Sequence, residues 1–463
     1  MSLSINQAQP PLEFISPAFN PAVLRITQLL LPAWINSRTI ISQIEAENVQ
    51  TLVKLINEFQ QKKIRFLIAF RHPQTEDPFA LAYLFSHIVP KIARQEGIPL
   101  KYPVHTHFIY DRGIPLWAGS YVGWFFSRMG GTPIYRGKAD WTGLKSARNL
   151  FANGHFPMAA APEGATNGLS EIISPLEPGI AQLGFWCAED LHKARRSEQV
   201  FILPVGIKYS YTNPPWESID KLLSELEAAS GLSVNQNGFD AALPQEILYP
   251  RLIGLAVHLL SIMEDFYKRF YHHSPELNIL EPETSDGNEA IKLRLKALLD
   301  SALKVSEDYF YLQPKGNFND RCRRVEQAGW NYIFREELKD VKALSIIEKR
   351  LADRVAEEAN LRMWHMRLVE NFVAVTGKYV REKPTAERFA ETTLLIWDMV
   401  ARIKGSNPFK RPKLGKQKVR ITIGEPLSIS DRFEDYQASR KNARIAVGDF
   451  TRDLQKAMEQ LTI

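Results

Sequence analysis

The sequence predicts an α/β protein, a β-sheet flanked by helices, that carries a large all-helical insertion. Over residues 38–210 short apolar runs alternate with stretches of helical periodicity, the pattern of strands covered by helices. Residues 211–405 change to long amphipathic helical stretches. A strand pattern returns at Val419–Ile423 and is followed by a final helical segment. We therefore expect an N-terminal segment over 1–37, a core over 38–210, an insertion over 211–405, and a basic connector, returning strand and last helix over 406–463.

Six strands are predicted before the insertion, each separated from the next by a helix. Ile64–Phe70 is a continuous apolar run, which is typical of a strand buried on both faces. The other five strands are predicted at Arg38–Ile44, His105–Tyr110, Thr132–Tyr135, Phe156–Ala161 and Val200–Tyr209. The helices are predicted at Asn48–Lys62, Pro78–Gln95, Leu116–Met129, Trp141–Phe151 and Pro178–Arg195.

The composition excludes several classes of protein. The 463 residues are 45% hydrophobic and 24% charged, ordinary globular values that exclude a mostly disordered or collagen-like chain. A net charge of +6 permits an anionic partner and selects none. Two cysteines, Cys187 and Cys322, favour a reducing compartment over a disulfide framework. Neither a signal peptide nor a spanning run is predicted, so we expect a cytoplasmic protein, soluble or attached peripherally or monotopically to a membrane.

Two segments outside the core have a composition suited to membrane surfaces. Residues 21–36 predict either a short interfacial helix or a helix packed on its own domain. Residues 401–420 contain eight Lys or Arg and no acidic residue, which predicts an exposed connector able to contact anionic head groups. Because only Phe409 interleaves these charges and no nucleic-acid-binding motif is present, we expect no nucleic-acid partner.

The clearest chemical candidate is His72 with Asp77, directly after the strand Ile64–Phe70. Pro73 disfavours a helix through His72, whereas Asp77-Pro78 suits the N-cap and first turn of a new helix. The two side chains therefore meet only across a strand-to-helix turn. There a carboxylate would orient an imidazole that acts as a general base. Taken alone, the pair also fits a helix cap beside a loop histidine.

Three further segments each place polar or special residues next to a predicted strand. The first runs from Gly131 to Arg136 and continues to Lys138, placing basic groups where a phosphate can be bound. The second is Pro162-Glu163-Gly164 at the end of a strand of small residues. The third is the apolar strand Leu203–Ile207, whose internal Pro204 predicts an edge or a bulge. Each also fits an ordinary turn or core strand when taken alone.

In this order the four segments resemble the four sequence blocks of the glycerolipid acyltransferase family, that of the 1-acylglycerol-3-phosphate acyltransferases. The resemblance covers about residues 38–210 and 417–463 and does not extend to the insertion. It implies a mixed sheet and an O-acyltransferase of phospholipid biosynthesis. The enzyme would move a fatty acyl group from acyl-CoA or acyl-carrier protein to a lysophospholipid at a membrane surface, with no metal or other cofactor.

The resemblance also implies roles for individual residues. His72 would be the base and Asp77 its orienting carboxylate. The acceptor would be bound by Gly131, Arg136, Glu163 and Gly164, and the acyl-donor pocket would be lined by Pro204 and Ile207. The chain departs from the family at two points: Arg71 replaces an Asn before the histidine, and Ala165-Thr166-Asn167 replaces Thr-Arg-Ser after Pro-Glu-Gly. Because the second departure removes a basic residue that could bind a phosphate, the identity of the acceptor stays undetermined.

Other functions are compatible with parts of this pattern. Glycerol 3-phosphate or another lysolipid is an alternative acceptor. A lipid-binding or scaffold protein could keep the fold without catalysis, although it would need neither His72 nor Asp77. A hydrolase is less favoured, because the chain has no Gly-x-Ser-x-Gly motif and no cysteine or serine with a recognisable base. His105, His107, His272 and His273 lack the spacing of a metal site, so we expect structural or exposed histidines there.

Overall fold

The computed structural model describes residues 6–135, 140–233, 244–273, 287–338, 344–373, 375, 378–408 and 410–462. They form two compact units. The first contains Glu13–Thr212 and the chain from Lys416 onward, and the second contains residues 6–12 with the described part of Asn213–Gly415. This grouping differs from the predicted division in two places. Residues 13–37 join the core instead of forming a separate segment, and residues 406–415 join the helical unit.

The first unit contains the eight strands found within the described ranges. They are β1 (Ile41–Glu47), β2 (Ile64–Phe70), β3 (His107–Asp111), β4 (Gly131–Ile134), β5 (Met158–Ala160), β6 (Gln199–Tyr211), β7 (Gln417–Ile423) and β8 (Leu427–Ser428). The α-helices in the described residues are α1 (Pro21–Arg38), α2 (Val49–Gln60), α3 (Asp77–Tyr83), α4 (Val89–Gln95), α5 (Ile114–Ala118), α6 (Ser120–Arg128), α7 (Trp141–Asn153), α8 (Gly179–Lys193), α9 (Trp216–Ala229), α10 (Pro244–Tyr271), α11 (Gly287–Tyr309), α12 (Phe318–Ile333), α13 (Ile346–Glu370), α14 (Tyr379–Glu382), α15 (Ala386–Ile403), α16 (Phe433–Ala438) and α17 (Arg440–Gln460).

The strands form one mixed sheet flanked by helices, so the predicted α/β class is confirmed. The strand order is β1-β7-β6-β2-β5-β3-β4, and β8 pairs with β6. From β6 to β4 neighbouring strands are parallel. In contrast, β7 and β8 run antiparallel to β6, and β1 is parallel to β7. Because β2 and β5 are parallel neighbours, the chain segments that follow them lie together at the carboxyl ends of these strands.

Side chains of β2 enter two apolar clusters, one on each face of the sheet. Phe66, Ile68 and Phe70 pack with residues of α2, α3 and α4. Leu67 and Ala69 pack with residues of α7, α8 and α17. Burial on both faces explains why the strand is apolar at nearly every position and not only at alternate ones.

Helix α1 has a buried side and an exposed apolar side. Leu24 is buried, and Leu31 and Ile35 belong to the cluster that contains Phe66. On the other side, Leu29 is 80% exposed and Leu30 is 62% exposed. The helix is therefore anchored in the first unit while an apolar strip faces solvent.

Two of the predicted helices are interrupted. The helix predicted at Pro78–Gln95 contains a π-helical turn, Leu84–Ile88, between α3 and α4. Pro90 has no N–H to donate to the carbonyl of Ser86, which disfavours regular α-helix at that point. The helix predicted at Leu116–Met129 divides into α5 and α6 at Gly119, whose φ of 104° lies in a region that other residues rarely adopt.

The described residues of the second unit form helices α9 to α15, with short turns and one bridge between Gln9 and Phe334. Among the described residues one helix, α10, is long and apolar enough to cross a membrane: an 18-residue window has mean hydropathy 1.4, and 33% of that window is buried. The sequence predicts no spanning run, so this helix differs from the expectation. Charged residues of α10 nevertheless pair within the unit, Arg251 with Glu227 and Glu264 with Arg294.

His105 and His107 have structural contacts. The Nε2 atom of His105 lies 2.8 Å from the carbonyl oxygen of Met129, and Nδ1 of His107 lies 2.9 Å from that of Gly130. Burial lowers the pKa of His105 from 6.5 to about 4, although the hydrogen bond to Met129 partly offsets this effect. At a pH between these two values the imidazole is therefore neutral in the folded protein and protonated in the unfolded chain.

We predict that His105 makes folding stability depend on pH. Because its pKa is lower in the folded than in the unfolded chain, its contribution is complete above pH 6.5 and is lost as the pH falls towards 4. Between pH 6.5 and 4 the Tm of the wild type should therefore fall by several degrees more than the Tm of His105→Gln. The glutamine keeps a donor for the Met129 carbonyl and does not titrate. Equal losses in both proteins would contradict the prediction.

Candidate functional site

The candidate site lies at the turn between β2 and α3. His72 follows the last residue of β2 by two positions, and Asp77 is the first residue of α3. The chain turns between them, so His72 Nδ1 lies 2.9 Å from Asp77 Oδ2. The Asp77 side chain is fully buried, whereas the His72 side chain is 24% exposed. The structure therefore brings together the two residues that the sequence paired.

Asp77 is not the helix N-cap that the sequence predicts. Glu76 occupies that position and makes no side-chain capping bond. The carboxylate of Asp77 instead turns back towards the strand. Its Oδ2 atom accepts a hydrogen bond from Gln74 N at 3.0 Å in addition to its contact with His72, and its Oδ1 atom accepts one from the hydroxyl of Tyr209 at 2.6 Å.

This arrangement fixes which nitrogen of His72 can do chemistry. A carboxylate acceptor at Nδ1 favours the tautomer with the proton on Nδ1, which leaves the lone pair on Nε2. A neighbouring carboxylate also stabilises the imidazolium that forms when Nε2 takes a proton. The pair is therefore suited to remove a proton from a hydroxyl group that approaches the exposed side of the ring.

Glu163, expected to bind the acceptor, is buried and bonded inside the protein. Its side chain is fully buried, and its oxygens accept hydrogen bonds from His72 N at 3.1 Å and Ser174 N at 2.9 Å. Asn167 Nδ2 adds a contact at 3.3 Å. Through these hydrogen bonds the carboxylate holds the main chain of His72 against the loop after β5. The geometry thus favours positioning of His72 over direct contact with a substrate.

Arg71 supplies the positive charge that this carboxylate needs. Its Nη1 atom lies 3.2 Å from Glu163 Oε1, and both side chains are fully buried. Its Nη2 atom donates to the carbonyl oxygens of Leu169 and Ile172. Arg71 is one of the two departures from the acyltransferase pattern, and here it joins the end of β2 to the loop that follows β5. It is buried and does not offer its charge to a phosphate.

The two glycines of the expected acceptor site have roles within the fold. Gly164 has φ of 72°, and a Cβ there would collide with the carboxylate of Glu177. A Cβ on Gly131 would lie 2.5 Å from the ring of Phe108. A side chain is therefore disfavoured at Gly164 by the backbone conformation, since the Glu177 carboxylate can move, and at Gly131 by the Phe108 ring. Arg136 and Lys138 lie outside the described residues. The flanking residues Tyr135 and Asp140 are joined by a hydrogen bond of 3.0 Å from Tyr135 N to Asp140 Oδ2.

Pro204 and Ile207, expected to line an acyl-donor pocket, are buried in the sheet. The edge predicted for Pro204 is wrong, because β6 lies in the interior of the sheet between β7 and β2, but the pairing on the β7 and β8 side is interrupted at this residue. Pro204 is tolerated because it falls between the residues that pair with β8 and those that pair with β7, and its carbonyl accepts from Gly424 N at 2.9 Å. Ile207 belongs to the core cluster that contains Phe70. An acyl chain would have to displace neighbours to reach either residue.

Sequence reasoning missed Tyr209. The residue lies on β6 two positions beyond the predicted block, on the same face as Val205 and Ile207, and it is 1% exposed. A signal was present, because a buried tyrosine usually has a hydrogen-bond partner for its hydroxyl. The partner, Asp77, is 132 residues away in the sequence, so only the sheet register identifies it.

Within the described residues, no group of three or more His, Cys, Asp or Glu side chains is arranged to hold a metal ion. Cys187 and Cys322 are buried free thiols. Burial raises the pKa of the Cys187 thiol to about 12 and that of Cys322 well above its usual value. Neither thiol therefore resembles an activated nucleophile.

Comparison of the chain with models of known protein families, with curated proteins and with solved structures gives no match.

We predict that the Arg71–Glu163 pair is essential for stability. Glu163→Gln keeps the shape of the side chain but leaves a buried guanidinium without its carboxylate, which should lower the free energy of unfolding by about 3–5 kcal/mol. Urea titration measures the loss. The control is Asp449→Asn, which removes an exposed partner of Arg452 and should cost about 1 kcal/mol or less. Equal losses in the two variants would show that the buried pair has no special role.

Proposed function

We propose that the protein is an O-acyltransferase that moves a fatty acyl group from an acyl thioester to the hydroxyl of a lysophospholipid, such as 1-acylglycerol 3-phosphate, in phospholipid biosynthesis. The supporting observation is the contact of 2.9 Å between His72 Nδ1 and Asp77 Oδ2 at the end of a strand, with the imidazole partly exposed. Two further observations support the proposal. Four sequence blocks resemble those of the glycerolipid acyltransferases, and the mixed sheet flanked by helices is the kind of fold that this resemblance implies.

In the proposed reaction His72 Nε2 takes the proton of the acceptor hydroxyl while its oxygen attacks the thioester carbonyl carbon. The carbon–sulfur bond then breaks, and the leaving thiolate takes the proton back from the imidazolium. The products are an ester and a free thiol, and no acyl-enzyme forms. Acyl-CoA and acyl-carrier protein are both suitable donors. The thioester is already activated, so the step requires no metal or other cofactor.

The acceptor class depends on residues that the family pattern only partly supplies. Arg71 and Glu163 bond to each other, so we assign phosphate binding to Arg136 or Lys138 after β4. Glycerol 3-phosphate and other lysolipids remain alternative acceptors. Against a non-catalytic lipid-binding scaffold stands the orientation of His72 by a buried carboxylate with three hydrogen-bond partners, since lipid binding needs no such group.

We further propose that α1 attaches the protein peripherally to a membrane. Its solvent-facing side carries four large apolar side chains: Ile26, Leu29, Leu30 and Trp34 are each at least half exposed. Arg25 and Arg38 are exposed on the same helix. Apolar side chains at the acyl boundary and basic groups at the head groups are the features of an interfacial helix. Such attachment would bring the site to an acceptor that resides in the bilayer.

We predict that acyl transfer depends on His72. A labelled long-chain acyl-CoA is incubated with the purified full chain and, in turn, 1-acylglycerol 3-phosphate, glycerol 3-phosphate and a lysophospholipid with a zwitterionic head group. His72→Ala should lower the rate at least about a hundredfold, because a general base contributes that much or more. His155→Ala, an exposed histidine after α7, should retain full activity.

Each other outcome of this assay identifies a different function. Full activity in His72→Ala would reject the base assignment. Binding of the lipid without consumption of the thioester would favour a scaffold, and thioester cleavage without an acceptor would favour a hydrolase. The acceptor that accumulates label identifies the substrate class.

We predict that Leu29→Ser with Leu30→Ser releases the protein from membranes. Removing two leucines from the interface should weaken binding to vesicles with anionic phospholipid at least about tenfold, since each buried leucine contributes about 1.5–3 kcal/mol. Co-sedimentation measures the bound fraction. Ile445→Ser, a 50% exposed residue of α17, is the control and should bind as the wild type does. Undiminished sedimentation of the double variant would exclude α1 as the contact.

A further inference from the structure

We propose that Tyr209 is a positioning residue for acyl transfer, which acts through Asp77 to hold His72 in its reactive orientation. The inference rests on the proposed function and goes beyond it, because none of the four family-like blocks contains Tyr209. It assigns to β6 a direct part in the site.

The sheet register brings Tyr209 to the site. β6 pairs with β2 from Ile64 to Phe70, and Val205 is the partner of Phe70. The next residue of the β2 chain, Arg71, donates its N–H to the carbonyl of Val205 at 2.9 Å. β2 ends there, whereas β6 continues to Tyr211 and pairs with β7. Tyr209 therefore projects from the extension of β6, next to the turn that carries His72 and Asp77.

Tyr209 completes the bonding of the Asp77 carboxylate. Oδ2 faces His72 Nδ1 and Gln74 N, whereas Oδ1 accepts from the Tyr209 hydroxyl at 2.6 Å. Asp77 is fully buried, so Oδ1 would otherwise lack compensation for its lost hydration. Donors on both oxygens prevent the carboxylate from rotating about its Cβ–Cγ bond, and the direction in which Oδ2 faces His72 is thereby fixed.

Tyr209 is a permanent donor in this position. Burial, and then the negative charge of Asp77, raise the pKa of its phenol well above the ordinary value of 10.0. The hydroxyl hence stays protonated throughout the pH range in which an acyltransferase is assayed. Its donated hydrogen bond also draws negative charge away from Asp77, which moderates the stabilisation of an imidazolium at His72. The other charged groups of this corner are Glu76 and the Arg71–Glu163 pair, all retained in the variants below.

The test is Tyr209→Phe in the full chain, with Tyr110→Phe as the matched control. Tyr110 is a buried tyrosine of β3, and its hydroxyl has no hydrogen-bond partner within the described part of the chain. We expect Tyr209→Phe to lower kcat about tenfold to a hundredfold with little change in KM, the range that corresponds to one lost hydrogen bond to a charged group. The acidic limb of the pH–rate profile should move to higher pH. Tyr110→Phe should change neither.

A double-mutant cycle separates positioning from folding. Asp77→Asn with Tyr209→Phe leaves no charged carboxylate at position 77, so its comparison with Asp77→Asn can be made even if Tyr209→Phe alone unfolds; a large further loss of activity in that comparison would contradict the inference. We expect Tyr209→Phe to lower activity far less in the Asp77→Asn background than in the wild type. Equal effects in both backgrounds, or an unchanged kcat in Tyr209→Phe, would overturn the inference.

A measurement that needs no turnover distinguishes failure of this inference from failure of the proposed function. In the full chain labelled with ¹⁵N-histidine, the signals of His72 are assigned from their loss in His72→Gln. Tyr209→Phe should shift the ring signals of His72, and Tyr110→Phe should not. Absence of acyl transfer by the wild type would refute the proposed function only, whereas unmoved His72 signals in Tyr209→Phe would refute the role of Tyr209.

Discussion

The buried carboxylate of Asp77 is the constraint on which the corner after β2 depends. A charge removed from water must be compensated by donors, and here the donors come from the strand end (His72), the turn (Gln74) and β6 (Tyr209). Because Tyr209 reaches Asp77 only when β2 and β6 are in register, the carboxylate has all its donors only once this part of the sheet has folded. The buried Arg71–Glu163 pair adds the same kind of constraint between β2 and the loop after β5.

Much of the fold follows from local sequence. The run Ile64–Phe70 predicts β2 with its observed bounds, because a strand buried on both faces requires apolar side chains at successive positions. Pro73 and Pro78 restrict the backbone enough to predict a strand end, a turn and a new helix. From these restrictions alone the meeting of His72 and Asp77 is predictable, since a turn is the only geometry that joins residues five positions apart in this context.

What the sequence does not reveal is set by long-range contacts. Whether Glu163 faces a ligand or the protein depends on Arg71, 92 residues earlier. The family-like pattern marks Glu163 but does not indicate what it bonds. Likewise, Pro204 predicts a sheet edge by the general rule, and only the switch of partners from β8 to β7 explains its place in an interior strand. Residues whose partners lie far along the chain carry no local sign of them.

The strand that joins β1 to the rest of the sheet is encoded near the end of the sequence. β1 has β7 as its neighbour, and β7 also covers the side of β6 away from β2, yet β7 begins at Gln417. During synthesis on the ribosome, β1 and β6 each keep an unpaired edge until more than two hundred further residues have been added to the chain. A nascent chain of this kind forms its most distant contacts last, which slows folding and makes protection by chaperones valuable. The helical unit, encoded between β6 and β7, thus sets the length of that delay.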